Sequence, residues 1–263
     1  MNILEANNLV KTYTQRSGSF GFGSTLVKAL NDVSISLKSG STLAVVGESG
    51  SGKSTLARCL LQLQPLDSGE VIFGGQNLAK LDSASLRTAR RELQMVFQDP
   101  FASLNPRMKV GEIVGEGLLI HGLGIAAEQK EQVLQMLKRV GLSADDALKY
   151  PHQFSGGQRQ RIGIARALVL KPKVVVCDEP VSALDVSVQA QILLLLKELQ
   201  QEMRLSYVFI SHDLRVVRHI ADDIVVMNAG KIVEQGSIEA VYNAPQQPYT
   251  QQLLSAIPGR KAA

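Results

Sequence analysis

Residues 47–55, Gly-Glu-Ser-Gly-Ser-Gly-Lys-Ser-Thr, place three glycines and a lysine in nine positions directly after the apolar run Leu43-Ala44-Val45-Val46. Glycines let the backbone turn tightly and point successive N–H groups inward, and a helix opening near Lys53 adds the partial positive charge of its dipole. The chemistry this suits is anion binding. Gly47, Gly52, Lys53 and Ser54 fit G-x-x-x-x-G-K-[ST], in which the lysine reaches the β- and γ-phosphates of a nucleotide and the hydroxyl ligates Mg²⁺. The other reading is a plain Gly/Ser turn; an apolar strand before it and a helix after it decide for phosphate.

A second arrangement of chemical groups is Val174-Val175-Val176-Cys177-Asp178-Glu179, an apolar run that delivers two carboxylates to the end of a strand. Ligands of parallel sheets bind at the carboxyl ends of strands. Asp178 there would hold the Mg²⁺ shell, and Glu179 would orient and partly deprotonate an attacking water. Alone, such a strand end is commonly just solvated, and the phosphate loop is what gives it meaning. Ser155-Gly156-Gly157-Gln158 opens a plausible amphipathic helix and is, on its own, a capping turn. The same geometry makes a second site for a phosphate oxygen, and the residues alone do not choose.

The elements that must position these groups follow from hydrophobic periodicity. Strands are expected at Ile3 to Asn7, Val33 to Leu37, Thr42 to Val46, Glu70 to Phe73, Val174 to Cys177, Tyr207 to Ser211 and Ile224 to Met227, with a hairpin-like turn at Asn228-Ala229-Gly230-Lys231. Helices are expected at Lys53 to Leu63, Glu128 to Val140 and Val188 to Met203. The Gly/Ser stretch from Ser17 to Ser24 reads as a mobile surface loop. Alternation of strand and helix on both sides of a helical insertion implies a parallel sheet covered by helices, an α/β fold.

Over the 263 residues, 45% hydrophobic and 20% charged is the balance of an ordinary globular protein, and 5% aromatic with no tryptophan implies an aliphatic core. A formal net charge of +4 suits phosphorylated ligands or an anionic surface, but basic residues are scattered. Their densest cluster, Arg87, Arg90 and Arg91, reads as a solvated helix face, so nucleic acid is not required. Two distant cysteines, Cys59 and Cys177, outside any metal-ligand spacing, point to a reducing compartment. The N-terminus lacks a basic region followed by an apolar one, and no apolar stretch approaches the ~20 residues of a membrane span. The expectation is a chain made and kept in the cytoplasm.

Together these motifs resemble those of the ATP-binding subunits of ABC transporters, over nearly the whole chain and in the expected order. In that resemblance Tyr13 is the aromatic that stacks on adenine. Gly47, Glu48, Ser49, Gly50, Ser51, Gly52, Lys53, Ser54 and Thr55 are the Walker A loop. Gln98 is the Q-loop glutamine, counted among catalytic and metal-ligating residues, and Ser155, Gly156, Gly157 and Gln158 form the signature. Asp178 and Glu179 are Walker B and the catalytic carboxylate, Ser182-Ala183-Leu184-Asp185 the D-loop, and His212 the switch histidine, with Lys53 and His212 also counted among the catalytic residues. Phe154 stands where leucine is commoner. Singly, Tyr13 could be a core aromatic, Gln98 a turn residue and His212 a hydrogen-bonded neutral histidine, the reading kept for His121, His152 and His219.

The resemblance implies a P-loop NTPase core with a mostly parallel sheet, an N-terminal antiparallel β subdomain and a helical insertion at about 99–170. One domain is expected over residues 3–257, with an importer-type tail at about 231–263. It further implies ATP and Mg²⁺, and head-to-tail pairing with a second ABC ATPase subunit, the same chain or a paralogue, so that each ATP lies between one Walker A and the other signature. Residues 96–107, Tyr150-Pro151-His152 and the tail from Pro248 to Pro258 resemble the subfamily serving dipeptide, oligopeptide and nickel importers. That implies two integral membrane permease subunits, a solute-binding protein acting indirectly, and a peripheral place on the cytoplasmic face of the inner membrane. Some members bind an iron–sulfur centre through tail cysteines; with no cysteine after Cys177, none is expected. The alternatives are an ABC exporter subunit, which gives no reason for the tail, and a soluble ABC ATPase acting on nucleic acid or ribosomes.

Overall fold

A long antiparallel hairpin opens the chain: β1 (Asn2–Arg16) pairs with β2 (Ser24–Lys38) along almost its whole length. Sequence reading ends the first strand at Asn7 because Asn7-Asn8 interrupts the alternation. In the computed structural model the strand continues past register shifts between Ala6 and Leu9. Asn8 (φ 51°) and Asp32 (φ 64°) take left-handed backbone, which Asn and Asp tolerate, and Asn8 Nδ2 donates to Asp32 Oδ1 at 2.7 Å. Such bulges absorb an extra residue and let Leu4, Ala6 and Leu9 all point inward, each at most 1% exposed.

The structure describes residues 1–16, 24–99 and 101–257. The core of the Gly/Ser stretch expected to be a mobile loop (17–23), Pro100 and residues 258–263 lie outside the described residues. The chain forms two compact units, one of Met1–Leu86 with Tyr207–Ala263, the other of Arg87–Ser206.

In the first unit β3 (Thr42–Val46) leads through the glycine loop into α1 (Lys53–Leu60), followed by β4 (Ser68–Phe73) and β5 (Gln76–Asn77). β2, β1, β4 and β5 form an antiparallel sheet in that order. After α2 (Ser83–Glu92), none of whose residues is buried, the second unit holds β6 (Leu93–Val96), α3 (Val110–Ile120) and α4 (Ala126–Arg139). It continues with α5 (Gly156–Leu168), β7 (Val174–Asp178) and α6 (Val186–Met203). Among the described residues of 99–170 there is no strand. α3 ends at Ile120 and α4 opens at Ala126, with Gly122 (φ 61°) and Gly124 (φ 79°) in left-handed conformation between them. β6 and β7 are parallel, with Val96 opposite Cys177.

The chain then returns to the first unit with β8 (Ser206–Ser211), α7 (Leu214–Ile220), β9 (Asp223–Asn228), β10 (Lys231–Ser237), α8 (Ile238–Asn243) and α9 (Pro248–Ser255). β3 runs parallel to β8 on one side and to β9 on the other. A strand flanked on both edges and covered on both faces has no solvent side, which is why β3 and β8 are buried at every position. Apart from Tyr207 and Phe209, this part of the core is aliphatic. Both cysteines are free and buried. Desolvation pushes the Cys59 thiol up to about 11, and burial also raises that of Cys177, so neither is a thiolate at neutral pH.

β9 and β10 form the expected hairpin, turning at Ala229 (φ 45°) and Gly230 (φ 78°), the two left-handed positions of a type I′ turn. A Cβ on Gly230 would lie 2.6 Å from Lys28 O, and Asn31 N–H donates to Gly230 O at 2.8 Å, so the turn is wedged against β2. Ala229→Asn, which suits that backbone, is expected to stabilise the protein by a few tenths of a kcal/mol, up to about 1. Gly230→Ala is expected to destabilise it by more than about 1 kcal/mol, since strain and close contact add. Urea unfolding followed by circular dichroism separates the two; equal midpoints would remove the turn from its wedging role.

Candidate active site

In the first unit the register of two parallel strands brings two predicted residues side by side. Val46 ends β3 opposite Ser211 at the end of β8, so Gly47 and His212 leave the sheet at neighbouring points of the same carboxyl edge. Both line one cavity of about 300 Å³ together with Val46, Leu253 and Ile257. Such edges are where parallel sheets take ligands, because the loops there are not needed to hold the strands together.

The phosphate loop is walled by backbone. A Cβ on Gly47 would sit 2.2 Å from Met227 O, and one on Gly52 2.2 Å from Ala29 O, distances no real side chain tolerates. Gly52, at φ 104°, is also the N-cap of α1, which has no side-chain cap and no acidic residue in its first turn. The helix therefore presents its first amides and the positive end of its dipole toward the loop. Lys53 is 5% exposed; its Nζ donates to Gly47 O and Glu48 O at 2.8 Å each. Ser51 N–H donates to Glu48 O, and Gly230 N–H to Ser51 O, so the hairpin turn also braces the loop. Ser51 Oγ is buried without a hydrogen-bond partner among the described residues, a hydroxyl with a proton to give. An oxyanion meets these requirements: backbone amides, a buried ammonium, a helix N-terminus and an unsatisfied hydroxyl. Ser54 and Thr55 follow in the first turn of α1. Tyr13 lies on β1 and is 37% exposed, with Lys11 Nζ 5.7 Å from its ring centroid, so it is a surface aromatic and not a core one.

In the second unit β6 and β7 act as β3 and β8 do in the first. Gln98 lies two residues beyond Val96 and Glu179 two beyond Cys177, and Gln98 Nε2 donates to Glu179 Oε2 at 3.1 Å. Asp178, the last residue of β7, is 4% exposed. Glu179 has φ 47°, a conformation that costs a non-glycine residue of order 1 kcal/mol and persists only where surroundings impose it. What imposes it here is partly visible, since Glu179 O accepts from Ser182 N–H at 3.3 Å and from Ser182 Oγ at 3.1 Å. The segment that Ser182 opens thus begins by holding the backbone of the strained Glu179.

Ser155 is the N-cap of α5, and the capping reading of its motif is realised. Its Oγ accepts from Gln158 N–H at 3.3 Å while Gln158 Oε1 accepts from Ser155 N–H at 3.0 Å. Ser155 and Gln158 remain exposed, so the cap itself faces solvent. A Cβ on Gly157 would come within 2.5 Å of Val188 Cγ1. Phe154 is 5% exposed, so the position calls for an apolar side chain. Sequence reading did not foresee two arginines of α5 that grip the segment after Gln98. Arg159 stacks on Phe101, 3.7 Å from the ring centroid, and Arg166 donates to Ser103 O. A basic residue every second turn beside a signature motif was their only trace. The carbonyl walls at Met227 and Ala29 left no trace at all, because any residue type supplies a carbonyl.

The description "ABC transporter" belongs to the family that matches residues 30–182. The dipeptide transport ATP-binding protein DppF of Escherichia coli (strain K12) is 53% identical over 256 residues, 97% of this chain and 76% of its own length. The oligopeptide transport ATP-binding protein AppF of Bacillus subtilis (strain 168) is 51% identical over 257 residues, 97% of this chain and 78% of its own. Among solved structures, a dimeric ATP-binding cassette in a post-hydrolysis state bound to ADP and Pi matches with TM-score 0.78 and 31% identity, over 89% of this chain and 98% of that one. The cbiO1 subunit of an ABC transporter complex from Clostridium perfringens matches with TM-score 0.79 and 29% identity, over 92% and 91%.

Gly52→Ala tests the carbonyl wall directly. The new methyl group must displace the loop from Ala29 O, and nucleotide binding is expected to weaken ~10-fold or more, the equivalent of ~1.4 kcal/mol. Titration with a fluorescent ATP analogue measures it, and wild-type affinity in this variant would separate the loop from the nucleotide.

Proposed function

The chain belongs to the ABC transporter family and hydrolyses ATP as its ATP-binding subunit, and from that premise we propose that it drives uptake of di- or oligopeptides. One observation carries the cargo assignment: relatives 51–53% identical across 97% of this chain are named for dipeptide and oligopeptide transport. The catalytic motifs alone are shared by cassettes of every cargo.

Residue roles follow from chemistry. Main-chain amides from Gly47 to Thr55 receive the phosphate oxygens, Lys53 neutralises the β- and γ-phosphates, and Tyr13 offers an exposed ring to adenine. Glu179 accepts a proton from the attacking water as its oxygen bonds to the γ-phosphorus and the bond to the β,γ-bridging oxygen breaks, leaving ADP and phosphate. Gln98, by donating to Glu179, orients that carboxylate, and His212 positions the γ-phosphate. On a second subunit, Ser155, Gly156, Gly157 and Gln158 supply a helix N-terminus to the same phosphate.

Ser54 Oγ, Asp178 and the amide oxygen of Gln98 are hard oxygen donors of the kind Mg²⁺ takes. Among the described residues no group of three or more His, Cys, Asp or Glu gathers into a metal site. Few protein ligands, the rest of the shell filled by substrate phosphates and water, is the usual way this ion is held beside a nucleotide. Bound there, it would neutralise charge on the β- and γ-phosphate oxygens.

For partners we propose two permease subunits and a second ATPase subunit, the same chain or a paralogue, with a solute-binding protein acting indirectly. No helix of the described residues is long and apolar enough to cross a membrane, so attachment would be peripheral, through the permeases on the cytoplasmic face. A groove of about 630 Å³ in the second unit supports this reading. It runs along α3 and α4, and Leu119 and Leu148 in its lining are each at least 68% exposed. Exposed apolar surface of that kind is suited to docking against apolar loops.

Glu179→Gln is expected to lower hydrolysis by at least ~100-fold while ATP binding survives and a dimer accumulates; phosphate release and size-exclusion chromatography with ATP check it, and free turnover would remove Glu179 as the base. For the function as a whole, the subunit reconstituted with its permeases should show ATPase activity stimulated by binding protein loaded with dipeptide. Stimulation by DNA or RNA, without membrane partners, would overturn the importer reading.

A further inference from the structure

The C-terminal helix α9 reaches the phosphate loop through one side chain that no catalytic motif includes. Tyr249 OH accepts a hydrogen bond from Glu48 N–H at 3.2 Å. That N–H belongs to the peptide joining Gly47 and Glu48, whose carbonyl oxygen accepts from Lys53 Nζ at 2.8 Å. A trans peptide points its C=O and N–H in opposite directions, so Lys53 and Tyr249 hold one plane from opposite edges. On one side of Gly47 the loop is closed by backbone, Met227 O standing 2.2 Å from where a Cβ would be. The remaining freedom of this peptide is to rock about its own axis, and the tyrosine hydroxyl opposes that motion.

Tyr249 is itself held. Pro248 starts α9, and the N–H groups of Gln246 and Gln247 just before it both donate to the Glu234 carboxylate on β10, at 2.7 and 3.2 Å. Thr250, next in the chain, and Leu254, a turn beyond it, are at most 1% exposed. A helix anchored along one face and fixed at its start carries a tyrosine, a side chain with only two rotatable angles to its ring, at little entropic cost.

We propose that Tyr249 is a positioning residue for Lys53: it fixes the peptide plane whose carbonyl sets where the ammonium waits for the phosphates. The tail thereby becomes part of the nucleotide site. This rests on the assignment of Lys53 to the phosphates. Because Lys53 would contact the phosphates before and during the reaction alike, its misplacement weakens binding of ground and transition states equally and raises KM without lowering kcat.

Steady-state ATPase assays and fluorescent-nucleotide titrations on the full chain test this. In Tyr249→Phe, KM and Kd for ATP should rise ~2- to 10-fold, the range for one hydrogen bond, with kcat within about twofold of wild type and the thermal midpoint lowered no further than by the loss of one hydrogen bond elsewhere on α9. Gln251→Ala, which loses only its bond to Pro245 O, should leave KM unchanged. An unchanged KM in Tyr249→Phe, or a rise that Gln251→Ala reproduces with a lowered thermal midpoint, would overturn the proposal. Lys53→Ala in the same titration separates the premise: if it binds ATP normally, the phosphate assignment falls, and if it does not bind while Tyr249→Phe is unaffected, only the role of Tyr249 falls.

Discussion

Two carbonyl oxygens, those of Met227 and Ala29, press against the Cα atoms of Gly47 and Gly52 and leave no space for a side chain at either. Everything else in the phosphate loop follows from that confinement. A backbone squeezed there must turn its amides elsewhere, and α1 begins at Gly52 with its helix dipole directed at the turn. Lys53, buried at the same point, finds loop carbonyls as acceptors. The result is a confined loop with a helix N-terminus and a buried ammonium beside it, the kind of preorganised electropositive setting that would stabilise a polyanion.

The second unit solves a different problem, holding a carboxylate where the backbone resists. Glu179 takes a left-handed conformation at the end of a fully buried strand, with Ser182 on its carbonyl and Gln98 on its side chain. Local strain of this kind is found where surroundings over-determine a residue's position. The two arginines of α5 extend the support to the segment after Gln98, one by stacking on Phe101 and one by bonding Ser103 O. The glutamine, the carboxylate and the Ser155 helix therefore belong to one connected set of contacts within that unit.

The parallel strands β3, β8 and β9, the helices α1, α4 and α6 and the β9–β10 hairpin were all legible, because each depends on local periodicity or on glycine. β1 was not legible past Asn7, since a bulge breaks the alternation that sequence reading relies on while preserving the pairing that defines a strand. The brief β6 passed unnoticed because Leu93-Gln94-Met95-Val96 is too short for any period to show.

What the sequence by itself determined was chemistry: which residue types recur at which spacing, and so a phosphate loop, two carboxylates after a strand and a capped serine-glycine helix start. Those are properties of neighbours along the chain. Only the tertiary structure decided that His212 emerges beside Gly47, that Gln98 meets Glu179, and that Tyr249 touches the loop some 200 residues before it. Strand register, backbone carbonyls and a single hydroxyl create these meetings, and none of them is encoded as a pattern in any one stretch, because burial and hydrogen bonding act through space.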